Sequence, residues 1–101
     1  MYIDLSKYTI VRKKEKDCIL REKRKFGYDV IIDLIRAGNC IDINKNHKVG
    51  YSHQHILILL ANQDVIEVPC VIIKETIHLI TFYVSRIAKK AYKDFISSKK
   101  Q

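Results

Sequence analysis

Proline and glycine are scarce in this chain: one proline and three glycines in 101 residues, and no tryptophan at all. With so few of either, and no serine tract, no stretch reads as linker or disorder. Cysteine is sparse too. Cys18, Cys40 and Cys70 are odd in number, widely spaced and form no CxxC pair, which supports neither a disulfide framework nor a zinc ribbon. Buried free thiols in a reducing compartment are expected instead. Long apolar runs are also missing: the longest, Ile56 to Ala61, is strand-length, far short of the roughly 18 residues of a membrane span. The opening residues MYIDLSKY carry charges where an export signal needs an apolar stretch, so a cytoplasmic location is expected. What is plentiful is hydrophobic surface, 48% of residues, enough for one core in a single domain over 1–101.

Acidic residues are outnumbered, 11 against 19 basic, for a formal charge of +8. The excess is uneven. Residues 1–25 hold nine basic and four acidic groups, residues 26–85 four and six, and residues 86–101 six and one. Basic ends flanking a near-neutral apolar middle are the electrostatic footprint of a polyanion partner, nucleic acid or an acidic protein. A merely solvated basic face is the alternative.

Along the chain, Tyr8 to Arg12 reads as a short strand and Lys14 to Lys25 as a weakly amphipathic helix, with Asp17 and Arg21 as an i,i+4 pair. Gly27 is placed to cap a second helix, Tyr28 to Ala37. Its stripe is Tyr28, Ile31, Ile32 and Ile35, its staple Phe26 with Ile31, and Gly38 its C′ residue. Cys40–Ile43 alternates like a strand, and the polar residues 44–54 read as a loop. Three strand-like runs follow, His55–Ala61, Val65–Ile73 and Thr76–Val84, with turns at Asn62-Gln63-Asp64 and Lys74-Glu75. Ile66, Val68, Cys70 and Ile72 share one face, and Pro69 argues for an edge or bulged position. A final helix from Arg86 to about Lys99 sets Ala88, Ala91, Tyr92 and Phe95 on one side, and Arg86, Lys89, Lys90 and Lys93 on the other. The expected architecture is α+β: a small antiparallel sheet of about four strands, two N-terminal helices and a C-terminal helix.

From Gly38 to Tyr92 the residues resemble bacterial toxins of the BrnT and RelE type, from two-gene type II toxin–antitoxin modules. The motifs that carry the likeness are H-x3-Y-x2-Q (His47, Tyr51, Gln54), VPxV (Val68, Pro69, Val71) and SR-x2-KK-x-Y (Ser85, Arg86, Lys89, Lys90, Tyr92). The segment before them, KRKFGYDVIIDLIRAG, is similar to the helix pair that opens such domains. The resemblance implies a RelE-like ribonuclease (hydrolase) that cuts messenger RNA, often on the ribosome, and inhibits translation. It also implies a cognate antitoxin that neutralises the toxin and alone contacts operator DNA. It points to Arg86 and Tyr92 as site residues and implies no cofactor.

Read as chemistry, metal-free RNA cleavage needs a base for the 2′-hydroxyl, a cation for the phosphorane and an acid for the leaving oxygen. His47 suits base or acid, beside Lys45 and Lys48, where phosphate is attracted and a neighbouring cation favours the neutral imidazole. An exposed loop histidine with a structural hydrogen bond is the alternative. Arg86 suits the phosphorane, since guanidinium binds phosphate through paired hydrogen bonds; otherwise it is a surface charge at a helix start. Tyr92 falls in the packing phase, with its hydroxyl free to reach a site. Tyr51 is an exposed aromatic for stacking on a base, or a loop anchor. Lys45, Lys89, Lys90 and Lys93 complete the expected RNA contacts, with Lys48 in the catalytic group. His47, His53 and His55 lack the cysteine or carboxylate that would complete a metal set. Cys40, Cys70 and His78 read as strand residues. A non-catalytic basic module binding RNA or protein has the same charge and fold. The nuclease reading requires loop 44–54 and the start of the terminal helix to meet on one side of the sheet, around His47.

Overall fold

The computed structural model describes residues 3–12 and 26–99. The expected helix over 14–25, its Asp17–Arg21 pair and Cys18 therefore lie outside the described residues.

The apolar stripe forecast for the second helix forms α1 (Tyr28–Arg36), with Tyr28, Ile31 and Ile35 buried. Gly27 is its N-cap, and Asp29 and Arg36 complement the helix dipole at opposite ends. Gly38 closes it in the left-handed region, φ +80°. Its N–H donates to Ile35 O while that of Asn39 donates to Leu34 O, the paired bonds of a Schellman cap. Any L side chain at Gly38 would be strained.

The strands are β1 (Thr9–Val11), β2 (Cys40–Lys45), β3 (His55–Ala61), β4 (Asp64–Ile73), β5 (Thr76–Leu79) and β6 (Tyr83–Val84). They form one six-stranded sheet in the order β1-β5-β4-β3-β2, with β6 also pairing β4. About four antiparallel strands were expected. The sheet is larger, and it is mixed, because β1 runs parallel to β5. Leu5 is buried in the core, Ile3 N–H donates to Cys40 O at 2.8 Å, and Arg36 of α1 donates to Tyr8 O at 3.0 Å, so residues 3–12 are fastened to the sheet and the helix.

Both hairpins turn in two residues, Asn62-Gln63 and Lys74-Glu75, as Ala61 faces Asp64 and Ile73 faces Thr76. The first turn residue of each has positive φ, 57° at Asn62 and 54° at Lys74. Asparagine tolerates that conformation; lysine is strained there.

Pro69 corrects one expectation. Its strand is central rather than at an edge, flanked by β3 on one side and by β5 and β6 on the other. The interruption falls in its neighbour, where Ile80 N–H donates to Pro69 O at 3.0 Å. A residue's N–H and C=O point to the same side of an antiparallel strand. The missing proline donor thus faces Ile80, just past the end of β5, and the reciprocal ladder bond to Ile80 O is the one lost. The expected Thr76–Val84 strand accordingly breaks at residues 80–82. The break reverses the alternation: Phe82 enters the core against Phe26 and Tyr28, and Tyr83 faces Glu67 across the sheet. Tyr28 Oη donates to Ile80 O at 2.6 Å, satisfying a carbonyl freed by the break.

Two cores result. One, between the sheet and α1, holds Ile31, Ile35, Leu57, Leu59, Ile66, Val68, Cys70, Ile77 and Phe82, with Ile72 packed against it, the alternation expected of β4. On the opposite face, Ile41, Ile58, Leu60 and Val65 meet the C-terminal segment through Ala88 and Ile96. That segment is α2 (Arg86–Ala91) and α3 (Lys93–Lys99), broken at Tyr92. The single helix expected over 86–99 is thus two short ones. Ala91, expected on the packing side, is exposed; the contact stripe runs 88, 92, 95, 96. None of the described helices is long and apolar enough to cross a membrane.

Candidate functional site

The hydroxyl that caps α2 belongs to Ser85, which accepts from Ala88 N–H at 3.0 Å. Ser85 N–H donates to Val65 O at 2.8 Å, so the helix starts against β4 in a fixed position. From there Arg86, Lys89, Lys90 and Lys93 line a cavity of about 570 Å³ whose walls also include Gln63, Ile87, Ile96 and Ser97. No acidic residue lines it. The nearest ion pair, Lys89 Nζ to Asp64 Oδ1 at 3.6 Å, is exposed on both sides and contributes little to stability.

The arrangement is electrostatically costly for the helix. Arg86 stands at the first helical position with no acid in the first turn, opposing the helix dipole. Arg86 with Lys89 and Lys90, and Lys93 with the same two, are like-charge pairs at i,i+3 and i,i+4. Each such pair destabilises by about 0.2–0.5 kcal/mol. Packing of Ala88 and Ile96, not charge pairing, holds the stripe in place.

Tyr92 lies at the junction of α2 and α3, half-buried against the second core. Its hydroxyl donates to Asp42 Oδ2 at 2.5 Å and accepts from Asn44 Nδ2 at 3.2 Å. Burial, then the Asp42 hydrogen bond, raises its pKa above the ordinary phenol value. The hydroxyl is thus directed at β2 and holds its proton there. Asp42 Oδ1 meanwhile accepts from Ile43 N–H, so one carboxylate joins the helix junction to the outer strand. Across the same face, Glu67 accepts from Tyr83 Oη at 3.4 Å, and burial raises that phenol's pKa too.

His47, Lys48 and Tyr51 lie elsewhere. They are exposed on the loop that joins β2 to β3. That loop closes on itself: Asn46 N–H donates to Gln54 O, Asn46 Nδ2 to Gln54 Oε1 at 3.3 Å, and Gln54 N–H to Tyr51 O. Gln54 is buried, the latch of the turn. Tyr51 N–H donates to Lys48 O around Gly50, whose φ of +85° suits a tight turn. Lys48 Nζ lies 5.3 Å from the Tyr51 ring centre, a cation–π contact.

The strand register separates the two groups. Lys45, at the loop, faces His55; Val65, whose carbonyl accepts from Ser85 N–H just before α2, faces Leu60. The five residue steps from His55 to Leu60 span about 17 Å. Alternation also turns Lys45 to the α1 face, with Ile43, which packs there. So Arg86, Lys89, Lys90 and Lys93 converge, Tyr92 adjoins them facing away, and His47, Lys48, Lys45 and Tyr51 stay at the opposite end. The cavity beside Arg86 is lined without His47, unlike the pocket expected around that histidine.

Local sequence pattern assigns Gln63 to a turn and gives no site role to Gln63, Ile87, Ile96 or Ser97, which also line the cavity. The one available signal was Ile87, an isoleucine set among cations. Among the described residues no His, Cys, Asp and Glu group could hold a metal ion. Burial pushes the Cys40 thiol up to about 11 and that of Cys70 to about 12, too high for a nucleophile. Comparison with protein-family models, curated proteins and solved structures finds no significant match.

Proposed function

We propose that this chain is the toxin half of a type II toxin–antitoxin pair and acts on RNA, holding its phosphates with Arg86, Lys89, Lys90 and Lys93. The observation that carries this reading is the convergence of those four cations around one cavity without an acidic neighbour in its wall. Like-charge crowding of Arg86, Lys89 and Lys90 on one short helix is relieved when a polyanion binds, which favours a phosphate backbone as its complement. The toxin assignment itself rests on the resemblance in motif order described above. It brings with it a protein antitoxin as partner, contact with operator DNA only through that partner, and the ribosome as a place of action.

Cleavage would draw on Arg86, whose guanidinium suits the charge that develops on a phosphorane, and would need its base and acid from residues other than His47. The lysines attract and position the strand. His47 has no part in it, because a general base must come within hydrogen-bond reach of its proton. The Tyr92 proton is held toward Asp42. The second reading, binding without cleavage, is favoured by that same separation of His47 from Arg86.

Induced expression of the wild type and of Arg86→Ala, with growth and RNA integrity followed, separates these readings. Arrested growth with fragmented RNA, relieved by Arg86→Ala, supports the nuclease. Arrested growth with intact RNA supports binding alone. Normal growth with intact RNA and folded wild-type protein removes the toxin reading.

A further inference from the structure

Phosphate binding leaves one property of the cavity unused: its walls are largely apolar. Ile87 stands 84% exposed on the helix that carries the cations, and Ile96 closes the inner side. A backbone track needs cations alone. An isoleucine held open to water amid four of them is a poor choice for solubility and a good one for a flat apolar guest.

We propose that the cavity receives an unstacked nucleobase of single-stranded RNA while Arg86, Lys89, Lys90 and Lys93 hold the flanking phosphates. This rests on the RNA reading above and adds the strand type to it. The volume, about 570 Å³, lies in the range of small-molecule sites and accommodates a base with its sugar. A base inside a duplex is stacked and paired and cannot enter; single strands present splayed bases. Within α2, from Arg86 to Lys90, the stripe rises about 6 Å, roughly two nucleotides along a strand. The base faces lie against Ile87 and Ile96, and the Gln63 amide and Ser97 hydroxyl offer donors and acceptors to its edge. An acidic peptide is the rival occupant. Like charge repeated at every helical turn, without an acid in the wall, matches a uniformly charged backbone more closely than a peptide of mixed side chains.

The test uses the full chain and three labelled RNAs: a short single strand, the same strand with a central abasic ribose, and its duplex. The abasic strand keeps every phosphate and removes only the base. It is expected to bind about tenfold more weakly than the intact strand, with the duplex no tighter than the abasic strand. Ile87→Ser, at an exposed position, is expected to weaken the intact strand and leave the abasic one unchanged. Equal affinity for all three RNAs, with a normal salt dependence, overturns base capture and leaves phosphate binding standing. No binding of any RNA removes both, as does binding of a glutamate- and leucine-containing peptide where RNA fails. If Ile87→Ser does not fold, the abasic comparison on the wild type decides by itself.

Discussion

The two ends of the sheet hold similar residue types in different settings. At one end, loop 46–54 gathers His47, Lys48, Tyr51 and His53, all exposed, with Val49 95% exposed at the tip. Its order comes from the Asn46–Gln54 latch and a turn around Gly50. At the other end, four cations stand round a concavity because Ala88 and Ile96 pin two short helices to the sheet. Basic and aromatic residues close together in sequence therefore do not make a site. Concavity does, and it comes from packing between elements distant in the chain.

The comparison breaks most sharply with charge reversal. Lys89→Glu combined with Lys93→Glu is expected to weaken single-stranded RNA binding by about a hundredfold at low salt. The same pair should flatten the slope of log K against log salt by about 1.4, two contacts at about 0.7 each. Lys48→Glu, on the loop, should change both far less. If the loop variant has the larger effect, the two ends exchange roles and the α2 cavity is no longer the binding surface.

A smaller effect tests how the helices are held. Tyr92→Phe removes the hydroxyl from Asp42 and Asn44, and a loss of about 1.5 kcal/mol in urea unfolding is expected. The folded-state pKa values of Tyr92 and Tyr83 are raised. Their contribution is therefore present below the ordinary phenol range and fades as pH rises through the higher folded values. Stability should fall on the alkaline side of pH 10, and less steeply in Tyr92→Phe; an unchanged alkaline limb would show that this phenol is not linked to folding. At the other end, Gln54→Ala should cost about 1 kcal/mol through the lost latch, with RNA affinity unaltered. The smallest effect is expected at a turn: Lys74→Gly relieves left-handed strain, offset by glycine's entropy, for a net gain below ~1 kcal/mol in thermal unfolding.

Much of the scaffold was legible in the residues. The stripe of α1 with Gly27 and Gly38 at its ends, the alternation of β4, the Lys74-Glu75 turn and the place of the first turn, though one residue shorter than expected, follow from local rules, because each depends on neighbours a few positions apart. The six-membered sheet was less so. Parallel pairing of β1 with β5 joins residues 9–11 to 76–78, and nothing in a three-residue strand specifies a partner so distant. Pro69 signalled a lost ladder bond correctly, but not that its neighbour would be the strand to break.

The candidate site divides in the same way. Helical spacing alone placed Arg86, Lys89, Lys90 and Lys93 on one side of the terminal segment, since a period of 3.6 residues is a property of the backbone. Burial of Cys40 and Cys70 was likewise readable from strand alternation. Only the tertiary structure decided that those cations face a cavity, that Tyr92 turns to Asp42, and that His47 lies at the far end of β3. Those outcomes depend on strand register and on which face each helix covers, and both come from contacts between segments far apart in the chain.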